Sequence, residues 1–207
     1  NNRENLKEVV PGAYIKYDVS NRNLENCRKR WLLDKELLLA EVKKDPDNTR
    51  ATFYLAQSCF CLGEIGAAVN WYEKRISQGG WREEVYESMF RIGLLQEKLG
   101  NHSTSQALFL KAYSFAPHRV EPLYRLAEMH RAKKQWPAAY LFIRRACELP
   151  YPENDNLFVD KDAYDYKRWD CLGIVAYYVG EFVDGEAATR MALKTRPDDE
   201  RLLLSRR

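Results

Sequence analysis

The chain has 207 residues, of which 45% are hydrophobic and 30% charged, a balance typical of a folded globular protein or one stacked array. Its 33 basic and 30 acidic residues are interspersed and leave a net charge of +3, which favours neither nucleic acid nor an anionic membrane as a partner. No apolar run approaches the roughly 20 residues of a membrane span, so we expect a soluble, cytoplasmic protein.

The sequence divides the chain into two segments. Residues 1–22 lack a helical pattern and are predicted as a non-helical strip. Because the sequence opens on Asn1 in a segment of this kind, we expect it to be a piece of a longer chain. Residues 23–207 are predicted as a helical array, which begins with one extra helix between Asn23 and Asn48.

Four copies of one residue skeleton follow the extra helix. Each copy contains a pair formed by a large and a small residue, and the pairs begin at Leu55, Ile92, Leu126 and Leu172. The order of small, aromatic and closing proline residues after each pair resembles the tetratricopeptide repeat, a helix-turn-helix unit of 34 residues. The predicted repeats cover about residues 49–80, 84–117, 118–150 and 166–198.

The residue types at the repeated positions have a physical reason. Small residues let the two helices of a repeat approach closely, and they are Ala56, Gly93, Ala127 and Gly173. Large residues fill the space between the helices, and they are Tyr72, Phe109 and Ile143. Left-handed glycines close the first helices at Gly63, Gly100 and Gly180. Because one repeat cannot bury its apolar face alone, we predict an all-α, right-handed α-solenoid of about four repeats.

The spacing of the repeats is irregular in two places. The pairs at Leu55, Ile92, Leu126 and Leu172 are separated by 37, 34 and 46 residues. The first excess falls in the segment from Ser77 to Glu84, and the second is a predicted loop insertion at residues 151–166. Insertions in solenoids often shape the binding face, and the alternative is that this one packs over the last two repeats.

Three long runs carry a more specific resemblance. They are "DPDNTRATFYLAQS" (Asp45 to Ser58), "WYEKRISQGGWREEVY" (Trp71 to Tyr86) and "AYLFIRRACELPYPENDNLFV" (Ala139 to Val159). These runs resemble the tetratricopeptide region that follows the catalytic domain in family 2 glycosyltransferases. The resemblance implies an accessory module of a sugar-transferring enzyme, and it implies that "AYIKYD" in the strip is the last strand of an upstream catalytic domain.

No motif indicates catalysis or metal binding by this chain. Asp45-Pro-Asp47 and Asp160-Lys-Asp162 have the D-x-D letters of a sugar-nucleotide metal site, but both are interpreted as turn and helix-cap residues between helices. Cys59 and Cys61 would project about 200° apart on a helix, which does not suit a shared metal ion. We expect five reduced thiols, no metal, no cofactor and no catalytic residue.

In tetratricopeptide arrays the first helices of successive repeats line a concave groove. Aligning the four copies places on this face Arg50, Phe53, Tyr54, Gln57, Arg91, Tyr124, Arg125, Glu128, Arg131 and Tyr177. Aromatic and arginine side chains in this mixture suit an extended peptide or a glycan acceptor rather than a polyanion. The alternative is that the aromatic residues pack between helices and the arginines are solvated.

These observations predict a noncatalytic scaffold or recognition module of a glycosyltransferase, which binds an acceptor or a partner protein through the groove. One alternative is a general protein-interaction adaptor unrelated to sugar transfer, and another is a chain that retains transferase activity. At the C-terminal end, "RLLLSRR" is expected to expose three leucines on an uncapped last repeat. This pattern predicts a homodimer through the C-terminal repeat.

Overall fold

The computed structural model describes residues 24–204, and within that range the chain contains ten α-helices and no strand. The predicted strip at residues 1–22 lies outside the described residues. The helices are α1 (Leu24–Lys44), α2 (Thr49–Leu62), α3 (Ile65–Gln78), α4 (Arg82–Lys98), α5 (His102–Phe115), α6 (Glu121–Ala132), α7 (Trp136–Glu148), α8 (Arg168–Val179), α9 (Phe182–Thr195) and α10 (Glu200–Leu204). None of these helices combines the length and the apolar character that crossing a membrane requires.

Each helix packs against the next one along the chain, which builds the predicted right-handed α-solenoid. Four helix pairs form the repeats: α2 with α3, α4 with α5, α6 with α7, and α8 with α9. Helix α1 packs on the first pair, and the short α10 packs on α9. The prediction of about four repeats preceded by one extra helix is therefore confirmed.

The first helices of three repeats end at a glycine in the left-handed conformation, as predicted. Gly63, Gly100 and Gly180 have φ angles of 78°, 78° and 82°. The equivalent turn of the third repeat follows α6, where Lys134 adopts the same conformation with a φ of 55°. A residue with a Cβ atom is strained in this region because the Cβ crowds the backbone. The turn geometry is therefore kept even where the sequence lacks a glycine.

Close approach of the two helices within a repeat is clearest between α4 and α5. A Cβ atom placed on Gly93 would lie 2.6 Å from Cε1 of Phe109, so only glycine fits opposite this ring. Phe109, Tyr72 and Ile143 are all fully buried between helices. The predicted division into small residues and large filling residues is thus confirmed at these positions.

The connection between α3 and α4 contains the extra residues that lengthen the spacing between the first two repeats. Gly79 in this connection has a positive φ of 65°. The fully buried guanidinium of Arg75 holds the connection in place, donating to Glu84 Oε2 at 2.9 Å and to the backbone oxygen of Gly79. Helix α4 then begins at Arg82, and Glu83 and Glu84 lie in its first turn.

The predicted loop insertion at residues 151–166 is shorter in the structure than expected. Residues 151–160 form no helix, whereas residues 161–166 are already helical and include most of a π-helical turn, Ala163–Lys167, that leads directly into α8. The difference follows from burial, because Ala163, Tyr164 and Tyr166 face the core. The Asp160 carboxylate also accepts the Ala163 N–H group at 3.3 Å, which caps this helical start. Residues 151–160 are called the insert below.

The C-terminal end departs from expectation at one leucine. Leu202 is buried against the last repeat, so the prediction that all three leucines of "RLLLSRR" are exposed is wrong for this residue. The reason is that α10 starts a further helix whose apolar side packs on α9 and the π-helical turn. Leu203 remains exposed.

Candidate functional site

Two cavities open on the side of the array formed by the first helices of the repeats. The first has a volume of about 590 Å³ and lies between α1, α2, α4 and the insert. The second has a volume of about 540 Å³ and lies between α4, α6, the insert and the π-helical turn. Arg91 and Phe158 line both cavities and form the wall between them. We call the two cavities, this wall and the neighbouring side chains that bind the insert the groove.

The insert lies in the groove, and carboxylates of the helices bind its backbone N–H groups. Glu83 Oε2 accepts the N–H groups of both Asn156 and Leu157, each at 2.7 Å. Further along, Glu121 Oε1 accepts the N–H group of Asp160 at 3.2 Å. Hydrogen bonds to an ionised acceptor are stronger than those between neutral groups. The helices therefore hold the insert through its backbone, and no strand in the described part of the chain pairs with it.

Arg119, between α5 and α6, binds the carbonyl oxygens of the insert. Its guanidinium donates to Leu157 O at 3.4 Å, to Phe158 O at 3.2 Å and to Asp155 Oδ2 at 3.2 Å. The same group donates to both carboxylate oxygens of Glu121, at 2.8 and 3.1 Å. Burial disfavours the charged form, but the hydrogen bonds to Glu121 and the electrostatic attraction of Tyr86, Glu121 and Tyr164 together outweigh it and hold the pKa of Arg119 above its ordinary value. Arg119 is therefore a permanently charged donor to the insert.

Two neighbouring side chains of the insert contact the helices in different ways. Leu157 is 8% exposed and packs in the core cluster that contains Phe53 and Tyr72. Phe158 is 48% exposed, its ring centre lies 6.4 Å from that of Phe53, and the guanidinium carbon of Arg91 lies 5.4 Å from it. Phe158 also has a φ of 49°. This left-handed conformation costs about 1–2 kcal/mol for a residue other than glycine.

The structure brings five of the ten predicted groove residues to the cavities. Tyr54, Gln57 and Arg91 line the first cavity, and Arg91, Tyr124 and Arg125 line the second. Four predicted residues lie outside both linings: Arg50, Glu128, Arg131 and Tyr177.

Phe53 is the one predicted groove residue that the structure removes from the surface. It is fully buried, so the prediction that it contacts a ligand on an open concave face is wrong for this conformation. The physical reason is twofold: Phe53 packs between helices against Tyr72, and the insert also covers it, because Leu157 packs in the same cluster and the Phe158 ring lies nearby.

Sequence reasoning missed four residues that shape the groove: Trp31, Glu83, Arg119 and Phe158. Trp31 has helical spacing that predicts core packing, but it also lines the first cavity. Glu83 and Arg119 lie at the borders of helices and belong to no local pattern, since their contacts with the insert are with residues 36 to 74 positions later. Phe158 carried a signal, because Leu157–Val159 is the apolar centre of the polar insert.

The arginines of the groove are paired with carboxylates. Arg91 Nε lies 2.5 Å from Glu87 Oε1, and Arg125 Nε lies 3.2 Å from Glu97 Oε2. Burial raises the pKa of Glu87, and the charge of Arg91 opposes that rise. The amide nitrogen of Gln57 is buried and has no hydrogen-bond partner among residues 24–204. The groove therefore offers directed donors and apolar walls rather than a basic surface.

The residues considered as metal ligands have other roles. Cys59 is buried and Cys61 is exposed at the first cavity, on the two sides of α2 that helix geometry predicts. Burial raises the pKa of Cys59 to about 11. The Asp45 carboxylate accepts the Asp47 N–H group at 3.2 Å in a turn, and Asp160 caps the π-helical turn. Within residues 24–204, no cluster of three or more His, Cys, Asp or Glu side chains is placed to hold a metal ion.

Solved structures share this architecture. The C-terminal part of a TPR repeat-containing protein from Cytophaga hutchinsonii superposes with a TM-score of 0.65 over 89% of this chain and 68% of that chain, at 16% identity. The chain has the tetratricopeptide fold.

Two further structures match over most of their length. The crystal structure of MamA gives a TM-score of 0.62 over 90% of this chain and 99% of that chain, at 10% identity. YrrB, described as a TPR protein with an unusual peptide-binding site, gives 0.58 over 89% of this chain and 87% of that chain, at 12% identity. Likeness at these identities concerns the fold alone. No protein-family model matches the sequence, and no curated protein matches it.

Proposed function

We propose that the chain is a noncatalytic scaffold that binds an extended segment of a partner protein in its groove. The observation that carries the proposal is that the groove already holds a non-helical stretch of this chain through side chains directed at backbone groups. Hydrogen bonds to the main chain provide affinity for an extended peptide, and side-chain pockets add selectivity. Both features are present in the groove.

The uncovered part of the groove suits the same kind of ligand. Trp31, Tyr54 and Phe60 line the first cavity with aromatic side chains. The buried amide nitrogen of Gln57 is a donor that a ligand carbonyl would satisfy. Aromatic residues and arginine are the residue types enriched where protein interfaces concentrate their binding energy.

Arrays of peptides and glycans test this proposal when probed with the chain and an Arg91→Ala/Arg125→Ala variant. Arg125 is partly exposed, but Arg91 pairs with the buried Glu87, so circular dichroism must first show that the variant is folded. The matched control is Arg144→Ala/Arg145→Ala, which removes two exposed arginines from α7. We expect peptide binding by the chain and the control, and binding at least tenfold weaker by the groove variant. Equal losses in both variants would contradict the proposal.

We further propose that the scaffold accompanies a family 2 glycosyltransferase domain, for which it would orient the acceptor. The support is the resemblance of three long runs, the last of which includes part of the insert. The cytoplasm is the compartment that suits the five free thiols. Glycan binding that is lost in the Arg91→Ala/Arg125→Ala variant would support acceptor recognition. Peptide binding alone would favour a general adaptor unrelated to sugar transfer.

A homodimer through the C-terminal repeat is a separate proposal with its own support. Tyr177, Tyr178 and Phe182 are exposed around a cavity of about 480 Å³ between α8, α9 and α10. A cluster of exposed aromatic side chains is typical of a contact surface. Light scattering over a concentration series should show a dimer mass that Phe182→Asp abolishes. A monomer mass at every concentration would contradict this proposal.

A further inference from the structure

The segment from Asp155 to Phe158 is held in the way that peptide-binding proteins hold a ligand. Each of its polar contacts with the groove comes from a residue distant in sequence, with separations of 36 to 74 positions. Glu83 binds two successive N–H groups, and Arg119 binds two successive carbonyl oxygens. This division of donors and acceptors recognises the backbone of a non-helical segment whatever its side chains are.

Side chains of the segment add selectivity at three positions. The Asp155 carboxylate lies 3.2 Å from Arg119 Nη1 and 2.9 Å from His118 Nε2. Leu157 fills an apolar slot beside Phe53, and Phe158 lies against the guanidinium of Arg91. The groove is therefore complementary to an acidic residue, a leucine two positions later and an aromatic residue next to it.

We propose that Glu83 and Arg119 form a recognition site for non-helical peptides, and that Asp155–Phe158 is its intramolecular ligand, for which a partner segment of the same chemistry competes. The partner is thus a non-helical peptide segment with the pattern Asp-x-Leu-aromatic. This inference rests on the proposed use of the groove for peptide binding and names the peptide class.

Two features make the segment exchangeable. Phe158 is held in a strained left-handed conformation, which its release would relieve. The groove residues also keep partners when the segment leaves, because Arg119 remains bonded to both oxygens of Glu121 and Glu83 is partly exposed to water. Release would uncover the apolar slot at Phe53, which a partner leucine then refills.

A labelled synthetic peptide with the sequence of residues 153–160, "ENDNLFVD", tests the proposal in trans. The chain is compared with a Leu157→Ser/Phe158→Ser variant, which removes the two anchoring side chains and leaves the helices unchanged. We expect the variant to bind the peptide at least tenfold more tightly than the unchanged chain. Adding Glu83→Ala should reverse this gain, whereas adding Glu73→Ala, at an exposed position of α3, should not.

Absence of peptide binding by a folded variant, or equal binding by the chain and the variant, would overturn the proposal. Amide hydrogen exchange on the unchanged chain provides a test that does not depend on the variant folding. The N–H groups of Asn156 and Leu157 should exchange at least 100-fold faster than those in the middle of α4. Exchange at the rate of α4 would show that the segment leaves only on global unfolding, and would overturn the proposal.

Failure of this inference is distinguishable from failure of the proposed function. If the "ENDNLFVD" peptide does not bind, but array peptides bind and are lost in Arg91→Ala/Arg125→Ala, then the inference is overturned and the groove is still a binding surface. In that case the insert is a permanent wall of the groove. If neither kind of peptide binds, both fail.

Discussion

Glu83 Oε2 accepts the backbone N–H group of Leu157 at 2.7 Å, across 74 positions of sequence. Glu83 follows the first lengthened connection of the array, and Leu157 lies in the second. The two places where the chain departs from the 34-residue spacing therefore meet in one contact. Both departures shape the same groove.

Substitution of Gly93 by alanine should destabilise the fold. The added Cβ would lie 2.6 Å from the fully buried ring of Phe109, and overpacking of this kind costs about 1–3 kcal/mol. Gly66→Ala is the matched control, because a Cβ on this α3 glycine meets nothing within 4 Å and should be neutral or stabilising by about 0.5 kcal/mol. Urea unfolding measures both changes. Equal stability of the two variants would contradict the close packing of α4 on α5.

Lys134→Gly should stabilise the chain. Lys134 has a φ of 55°, at the turn where other repeats have glycine, and the substitution should add about 1 kcal/mol to the free energy of unfolding. The neighbouring Lys133→Gly is the control, since Lys133 has a φ of −91° and gains nothing from glycine. Thermal unfolding should give a higher midpoint for Lys134→Gly and a lower one for Lys133→Gly. The reverse order would be incompatible with the left-handed turn.

Arg119→Ala should be far more destabilising than Arg125→Ala. Loss of the Arg119 guanidinium leaves the carboxylate of Glu121 buried without its partner, at a cost of about 3–5 kcal/mol. Arg125 is one third exposed, and loss of its pair with Glu97 should cost at most about 1 kcal/mol. Denaturant midpoints of the two variants measure the difference. Similar midpoints would mean that Arg119 does not hold the insert.

Thiol labelling should report access to the first cavity. In a Cys27→Ser background, the exposed Cys61 should react first and the half-buried Cys147 more slowly, while the buried Cys59 and Cys171 should react only in urea. Burial raises the pKa of Cys61. It raises the pKa of Cys59 to about 11 and the pKa of Cys147 to about 12. Because the thiolate is the reactive form, the Cys61 rate should rise with pH.

The additional change Cys61→Ser should remove the fast labelling phase, and this loss would assign the phase to Cys61. A fast phase that survives this substitution would contradict the placement of Cys61. Once assigned, slower labelling in the presence of a peptide that binds would place that peptide in the first cavity.

Much of the fold was predictable because its determinants are local. The close helix contact at Gly93 and the left-handed turns at Gly63, Gly100 and Gly180 follow from residue size and backbone freedom, which can be read position by position. Lys134 shows the limit of this reasoning, because the array imposes its turn on a residue that does not favour it.

The content of the groove was not predictable in the same way. Periodicity places Phe53 on a first helix but does not reveal that a residue 105 positions later covers it, since such a contact has no local signature. Arg119 and Glu83 act through the same distant segment. Helical spacing therefore predicts which face is concave and leaves open what occupies it.

The central claim is that the first-helix side of this array binds extended peptide. The most direct test is an NMR titration of the isotope-labelled chain with the peptide that binds most tightly on the array. Our account predicts that the shifting amide signals lie in α2, α4, α6 and the insert. Shifts confined to α3, α5, α7 and α9 would contradict it, because binding would then use the opposite side of the array.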